Sequence, residues 1–240
     1  MRVVFLGRSG AGKTTMIAVG LAELSARLGL RVAVRDRQRL ARARRAVARS
    51  RTPLRTRGVP TVRAALPNGA RIDCTDHDGR LLDRPVPDDR MTAVLAAADA
   101  LVLVVDGTTL AQTAAPVRVA RLAVEFRRRM HALEAAAHPV RLPIVLAVTH
   151  VDRLPAAVDL RSVTVLFDPI QAAFRRRIAG LTVPVSVDAP GTCALPLLWC
   201  LRHGLPDPAV EAALAELWPA GSRAPRHWPG PLEIASGVAS

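Results

Sequence analysis

Tyrosine is absent from this 240-residue chain, aromatic residues make up only 3% of it, and lysine and asparagine occur once each, at Lys13 and Asn68. So few rings exclude an aromatic-rich β-sandwich. They leave a core of Ala, Val and Leu, which suits closely packed helices and parallel strands. Cysteine is scarce as well: Cys74, Cys193 and Cys200 are odd in number and do not form two metal-ligand pairs. That argues against a disulfide framework or a zinc site and fits a reducing compartment. The longest apolar stretch, Ala93 to Val105, is broken by Asp99 and falls short of a bilayer. The first, Val3 to Leu6, is too short for a signal-peptide core. A soluble, cytoplasmic protein is expected.

What is abundant is arginine. Lysine plus arginine total 34 against 20 acidic residues, a formal charge of +14, and every basic side chain except Lys13 is arginine. Two readings stay open: an anionic partner, or codon bias in a GC-rich bacterial genome. The hydrophobic share of 50% allows a sizeable core. One domain over residues 1–218 is expected, with a basic insert over 35–60 and a loose tail over 219–240, where Pro, Gly, Ser and Ala dominate.

Along the chain, short β-branched runs alternate with helical periodicity. Val3 to Leu6 reads as a strand, Thr14 to Leu28 as a helix capped by Gly29, and Arg31 to Arg35 as a second short strand. Arg35 to Arg57 is densely basic, opposed only by Asp36, with a weak stripe at Leu40, Ala43, Ala46 and Val47. It predicts a helix in its first half. It is either an exposed helix with a loop or a surface for an acidic partner.

Val62 to Leu66 and Ala70 to Cys74 flank Pro67-Asn68-Gly69, a hairpin signal in which Asn68 and Gly69 are both expected at positive φ. Thr61 is then placed opposite Asp76. Buried strands are expected at Ala100 to Val105, Pro143 to Val148 and Leu181 to Val187. Helices are expected over 113–137, 162–178, Cys193 to His203 and Asp207 to Trp218. Strands alternating with helices predict an α/β fold of three layers: a mostly parallel sheet, one antiparallel hairpin strand, and helices on both faces.

Gly7-Arg8-Ser9-Gly10-Ala11-Gly12-Lys13-Thr14 is a complete G-x-x-x-x-G-K-[ST] phosphate loop, with a strand before it and a helix after. Its glycines let main-chain N–H groups aim at phosphates and the helix start adds a favourable field. Lys13 reaches the β and γ phosphates, and the Thr14 hydroxyl ligates Mg²⁺. Thr15 follows in the same turn. Asp76-His77-Asp78-Gly79 reads D-x-x-G, with Asp76 holding Mg²⁺ through water and the Gly79 amide sensing the γ-phosphate. His77 reads as a solvated surface histidine. Thr149-His150-Val151-Asp152 is similar to the [NT]-K-x-D guanine motif, in which the carboxylate accepts two hydrogen bonds from the base. Near Ser186 a backbone amide would meet the guanine carbonyl.

In this order the motifs resemble the G domains of the translation-factor-related and Ras-like class of P-loop GTPases. Ala98 to Thr108 adds to the resemblance, which covers about Arg2 to His203. The long basic segment is similar to that of the bacterial double-GTPase families. The resemblance implies a Mg²⁺-dependent switch that hydrolyses GTP to GDP and works with a protein effector or activating partner. It also implies a switch threonine before the hairpin: Thr56 first, then Thr61, with Thr52 open. His150 stands where the motif has lysine, and Arg80 where Ras-like enzymes often carry glutamine, so hydrolysis is expected to be slow without a partner.

Two alternatives use the same residues differently. In one, Leu101 to Asp106 is the Walker-B strand of an ATPase, with Asp106 on Mg²⁺. In the other, the chain is a weakly hydrolysing scaffold that docks an acidic protein, a lipid surface or RNA through Arg35 to Arg57, without sequence-specific nucleic-acid reading.

Overall fold

The computed structural model describes residues 1–49, 61–77, 93, 96–109, 143–154, 180–205 and 207–218. Arg2–Leu6 forms β1, and after the exposed Arg2 its side chains are all buried, Val3 and Phe5 towards one face and Val4 and Leu6 towards the other. A strand covered on both sides reads as an unbroken apolar run. Lys13–Leu28 forms α1, burying Met16, Ile17, Leu21, Leu24 and Leu28 at helical spacing, and Gly29 ends it at φ 63°.

Seven strands make one sheet in the order β2-β3-β4-β1-β5-β6-β7. Beyond β1 these are β2 (Arg31–Val32), β3 (Thr61–Ala65), β4 (Arg71–Asp76), β5 (Ala100–Asp106), β6 (Ile144–Thr149) and β7 (Gly180–Pro184). β1 pairs in parallel with β4 and β5, and β5, β6 and β7 continue in parallel. Only β3 runs antiparallel, to both β2 and β4. The carboxyl ends of β1, β4, β5, β6 and β7 therefore share one edge, where open α/β sheets bind ligands.

Two further helices, α3 (Pro190–Gly204) and α4 (Pro208–Leu217), pack with α1 on one face. There Phe5, Val102, Val104, Val145 and Ala147 join Leu21, Leu24, Leu197 and Leu201 in one core cluster. On the other face Leu6, Leu101, Leu103, Leu146 and Val148 are buried too. The mostly parallel, layered α/β fold with one antiparallel hairpin is thus present. Cys74, Cys193 and Cys200 are buried free thiols.

Three local expectations need correction. The second strand stops at Val32: the Ala33 N–H donates to Arg63 O at 2.8 Å, and α2 (Val34–Ala48) begins at once. Asp36 in its first turn accepts the Arg63 N–H at 3.0 Å, so the helix start is pinned to the sheet edge.

The hairpin turn is one residue longer than a two-residue turn. Leu66 and Ala70 bracket three residues, the Gly69 N–H donates to Leu66 O at 2.9 Å, and Gly69 is at φ 87° while Asn68 is not at positive φ. Pro67 has a fixed φ that suits the first central position of a type I turn, with glycine following in the left-handed region. The extra residue shifts the register, so Thr61 faces Thr75 and not Asp76.

The last strand ends at Pro184, earlier than Val187, although the Val185 N–H still donates to Val148 O at 2.7 Å. The helices expected over 113–137 and 162–178, and the tail over 219–240, lie outside the described residues.

Candidate functional site

The loop after β1 turns tightly across the sheet edge. Gly10 and Gly12 lie at φ 87° and 84°, and the Ala11 N–H donates to Arg8 O at 3.2 Å. Gly7 runs against β5 so closely that a Cβ there would sit 2.2 Å from the Val104 carbonyl oxygen. Arg8 and Ser9 are exposed, and Thr15 is half-buried in the first turn of α1. The Lys13 side chain folds back over the loop: only 7% exposed, its ammonium donates to Gly7 O at 2.6 Å and to Arg8 O at 3.0 Å.

β4 delivers the partner to this loop. Its register with β1 sets Asp76 beside Phe5, the Thr14 hydroxyl donates to Asp76 Oδ2 at 2.5 Å, and Lys13 Nζ lies 3.9 Å from Asp76 Oδ1. Burial pushes the Asp76 carboxyl above its usual range; the Thr14 hydrogen bond and the charges of Lys13 and Arg39 only partly offset that. A buried carboxylate penalised in its ionised form is receptive to a cation. Thr14 and Asp76 converge as an oxygen donor pair, the chemistry that suits Mg²⁺.

A second set of contacts joins the ends of β5, β6 and β7. The Thr149 hydroxyl donates to Ala11 O at 2.7 Å and lies 3.1 Å from Val105 O, tying the phosphate loop to two strands. His150 is the one non-glycine residue at positive φ among the described residues, at 56°. Its Nδ1 lies 3.0 Å from Asp106 Oδ1, and its Nε2 faces Gly12, 3.5 Å from where a Cβ on that glycine would be. Burial alone would raise the Asp106 carboxyl, but hydrogen bonds to His150 and Thr108 outweigh it and hold it below the usual range. Asp152 accepts the Ser186 hydroxyl at 2.9 Å.

The geometry thus gathers Gly7 to Thr14, Asp76, Thr149, His150, Asp152 and Ser186 along one sheet edge. The fold is a mostly parallel α/β sheet with a glycine phosphate loop at the carboxyl edge of its strands. That assignment rests on the strand order, the register and the loop.

No protein-family model matches the sequence, and no curated protein matches it. Among solved structures the chain is similar to the Arl6 small GTPase from Trypanosoma brucei with a bound nucleotide analogue, at 13% identity and a TM-score of 0.46. That match covers 90% of this chain and 94% of that one. It is also similar to the Era protein of Aquifex aeolicus bound to GDP and aluminium fluoride, at 17% identity and a TM-score of 0.41. There it covers 89% of this chain but spans only 56% of the other. Likenesses of this degree carry no residue-by-residue correspondence.

Within this fold some sequence readings shift. His77 is buried, 4% exposed, and not a surface residue. Its backbone N–H donates to Phe5 O at 3.0 Å, so the parallel ladder runs one residue past Asp76 and carries the imidazole inward. The Ser186 N–H is engaged by Thr192 Oγ1 at 3.0 Å, a partner from the first turn of α3 that sequence reading missed. Thr61 lies within β3, its hydroxyl 3.2 Å from that of Thr75. Thr52, Thr56, Asp78, Gly79 and Arg80 lie outside the described residues. Asp106 as the holder of His150 was also missed. The signal was available in the alignment of two strand ends, since Asp106 pairs with Thr149 across β5 and β6. Among the described residues no cluster of three or more His, Cys, Asp or Glu could hold a metal, and no helix is long and apolar enough to cross a membrane.

Proposed function

We propose that this chain binds GTP and GDP with Mg²⁺ and hydrolyses GTP slowly, as a switch that acts through a protein effector or activating partner. The observation that carries the reading is the convergence of Lys13, Thr14 and Asp76 at the mouth of the glycine loop. Lys13 would exchange its loop carbonyl contacts for phosphate oxygens. Thr14 and Asp76 would hold Mg²⁺, which when bound neutralises charge on the phosphates. The same contacts support Asp76 over Asp106 as the metal-side carboxylate, because Asp106 is committed to His150 and Thr108.

The guanine preference is supported by Asp152, held by Ser186 at the edge where a base would lie. Thr56 and Gly79 are proposed as the γ-phosphate sensors, and Thr56 as a further metal ligand. Residues 1–218 are proposed as one unit in a bacterial cytoplasm.

A competition titration against a fluorescent guanine nucleotide, with and without Mg²⁺, tests this. GTP is expected to displace the probe far better than ATP, and Asp152→Asn to shift preference towards the xanthosine nucleotide. Equal displacement by ATP and GTP defeats the guanine reading. Failure of the folded protein to hold either nucleotide with Mg²⁺ present defeats the whole of it.

A further inference from the structure

α2 is unlike the other helices among the described residues. In its 15 residues it carries six arginines and one acid, Asp36, whose carboxylate is buried and accepts the Arg63 N–H. No carboxylate remains on its exposed side, whereas α1 pairs Glu23 with Arg27 at i,i+4 and α4 presents Glu211 and Glu216. A genome-wide preference for arginine over lysine would not remove glutamate from a single helix. Neighbouring arginines such as 42 and 45, or 45 and 49, repel one another by about 0.2–0.5 kcal/mol per pair in an isolated helix. Packing of Leu40 and Ala43 holds α2 in place in spite of that.

The placement of the charges matters more than their number. At about 100° per residue, the buried positions 36, 40 and 43 centre on one side, and the exposed arginines fan over about half the circumference opposite them. They form two rails. Arg37 and Arg44 lie along one flank, Arg35, Arg42 and Arg49 along the other, and all are exposed. Along each rail the spacing is seven residues, about 10 Å. The crown between the rails carries Gln38, Ala41, Arg45 and Ala48, also exposed, two of them alanine and one a further arginine.

From this arrangement we propose that α2 docks in the major groove of B-form DNA without reading its sequence, its crown towards the groove floor and one arginine rail on each phosphate strand. A helix is about 10–12 Å across with its side chains, and the major groove is about 12 Å wide. Guanidinium groups match phosphate oxygens in a forked geometry. The other polyanions fit less well. A flat lipid surface meets the crown but not both flanks, and Leu40 and Ala43 of α2 are already spent on the core, Val34 being the one large apolar side chain left exposed among those described. An acidic helix offers one stripe and engages one rail. The major groove of duplex RNA is deep and narrow and does not admit the helix.

Docking through α2 does not depend on which nucleotide the chain binds. Its test uses the full chain and a fluorescent 20-base-pair DNA duplex, followed by anisotropy from 50 to 200 mM salt. Two variants each take two arginines from one rail, Arg37→Gln with Arg44→Gln, and Arg42→Gln with Arg49→Gln, the second leaving Arg35 in place. Circular dichroism and nucleotide retention verify that both are folded. The wild type is expected to bind unrelated duplex sequences equally. Each variant is expected to reduce the slope of log K against log salt by about 1.8, near 0.9 for each phosphate that is no longer neutralised. Duplex RNA, polyglutamate and vesicles containing phosphatidylglycerol are expected to compete at least about tenfold less well than DNA. Three results overturn the proposal: no binding at the lowest salt, a slope that changes in only one rail variant, or RNA, polyglutamate or vesicles that compete as well as DNA.

Discussion

Asp76 and Asp106 end the two strands that flank β1, yet their surroundings push them in opposite directions. Burial raises Asp76, so the ligand-free fold holds a proton there more tightly than the unfolded chain does. That contribution is full below the ordinary aspartate value of about 3.9 and is lost as pH rises through the raised one. Above the ordinary aspartate value, burial of this carboxyl therefore weakens the empty protein. Asp76→Asn is expected to raise the melting temperature of the nucleotide-free chain at pH 7 and to abolish the Mg²⁺ dependence of nucleotide retention. Differential scanning fluorimetry with and without Mg²⁺ checks both; an unchanged Mg²⁺ response removes Asp76 from the metal site. Asp106 has the reverse sign. Its hydrogen bonds to His150 and Thr108 stabilise the fold above about pH 4 and fade as pH falls through its lowered value. The deficit in melting temperature of Asp106→Ala is expected to be full above about pH 4 and to shrink towards pH 3. A deficit that does not vary with pH would show that packing, and not charge, is what Asp106 contributes.

At the scale of elements, the hairpin and the last helix are joined by a single carboxylate. Asp207 caps α4 by accepting the Ala209 N–H at 2.8 Å through one oxygen, and accepts Asn68 Nδ2 at 2.8 Å through the other. Loss of such a cap costs about 1 kcal/mol. Asp207→Ala is expected to cost about that plus a few tenths more from the turn, and Asn68→Ala those few tenths together with the loss of its own turn bond from the Ala70 N–H at 2.9 Å. A double-mutant cycle by urea denaturation reads the coupling, and strictly additive effects would mean that the exposed hydrogen bond contributes nothing.

The same region marks the limit of what the sequence discloses. Apolar periodicity was enough for β1, α1, β5, β6 and α3, because each buries a continuous stripe or run. Asn-Gly marked the hairpin but not its length; Pro67 decided that, and with it the register of Thr61. The short second strand yielded to α2 because Asp36 and Ala33 satisfy the edge of β3, a tertiary interaction with no local signature. In the site, the glycine loop and Asp76 were legible from spacing. The links between Thr149 and Ala11, His150 and Asp106, and Ser186 and Thr192 arise only when strands distant in sequence are laid side by side.

For the whole molecule, a ligand that grips this edge draws on five strands at once. The described core is built on one face of the sheet from α1, α3 and α4, and the loops that gather at its edge are anchored to it through β1, β5 and β6. A nucleotide that binds only the folded state and is present at about a thousand times its dissociation constant stabilises by about 4 kcal/mol. GTP with Mg²⁺ is therefore expected to raise the melting temperature by several degrees, and chelation of the metal to remove most of that gain. A melting temperature indifferent to both would place any nucleotide binding outside the cooperative unit.

The solitary lysine has a practical consequence. Apart from the terminal amine, which donates to Arg71 O at 2.8 Å, the Lys13 side chain is the one primary amine in the chain. Acylating reagents that ordinarily decorate a protein surface at random would have a single internal target here, folded inside the glycine loop. The extent of labelling at that site then becomes an occupancy gauge, read by mass from the intact chain without a dye or a radiolabel.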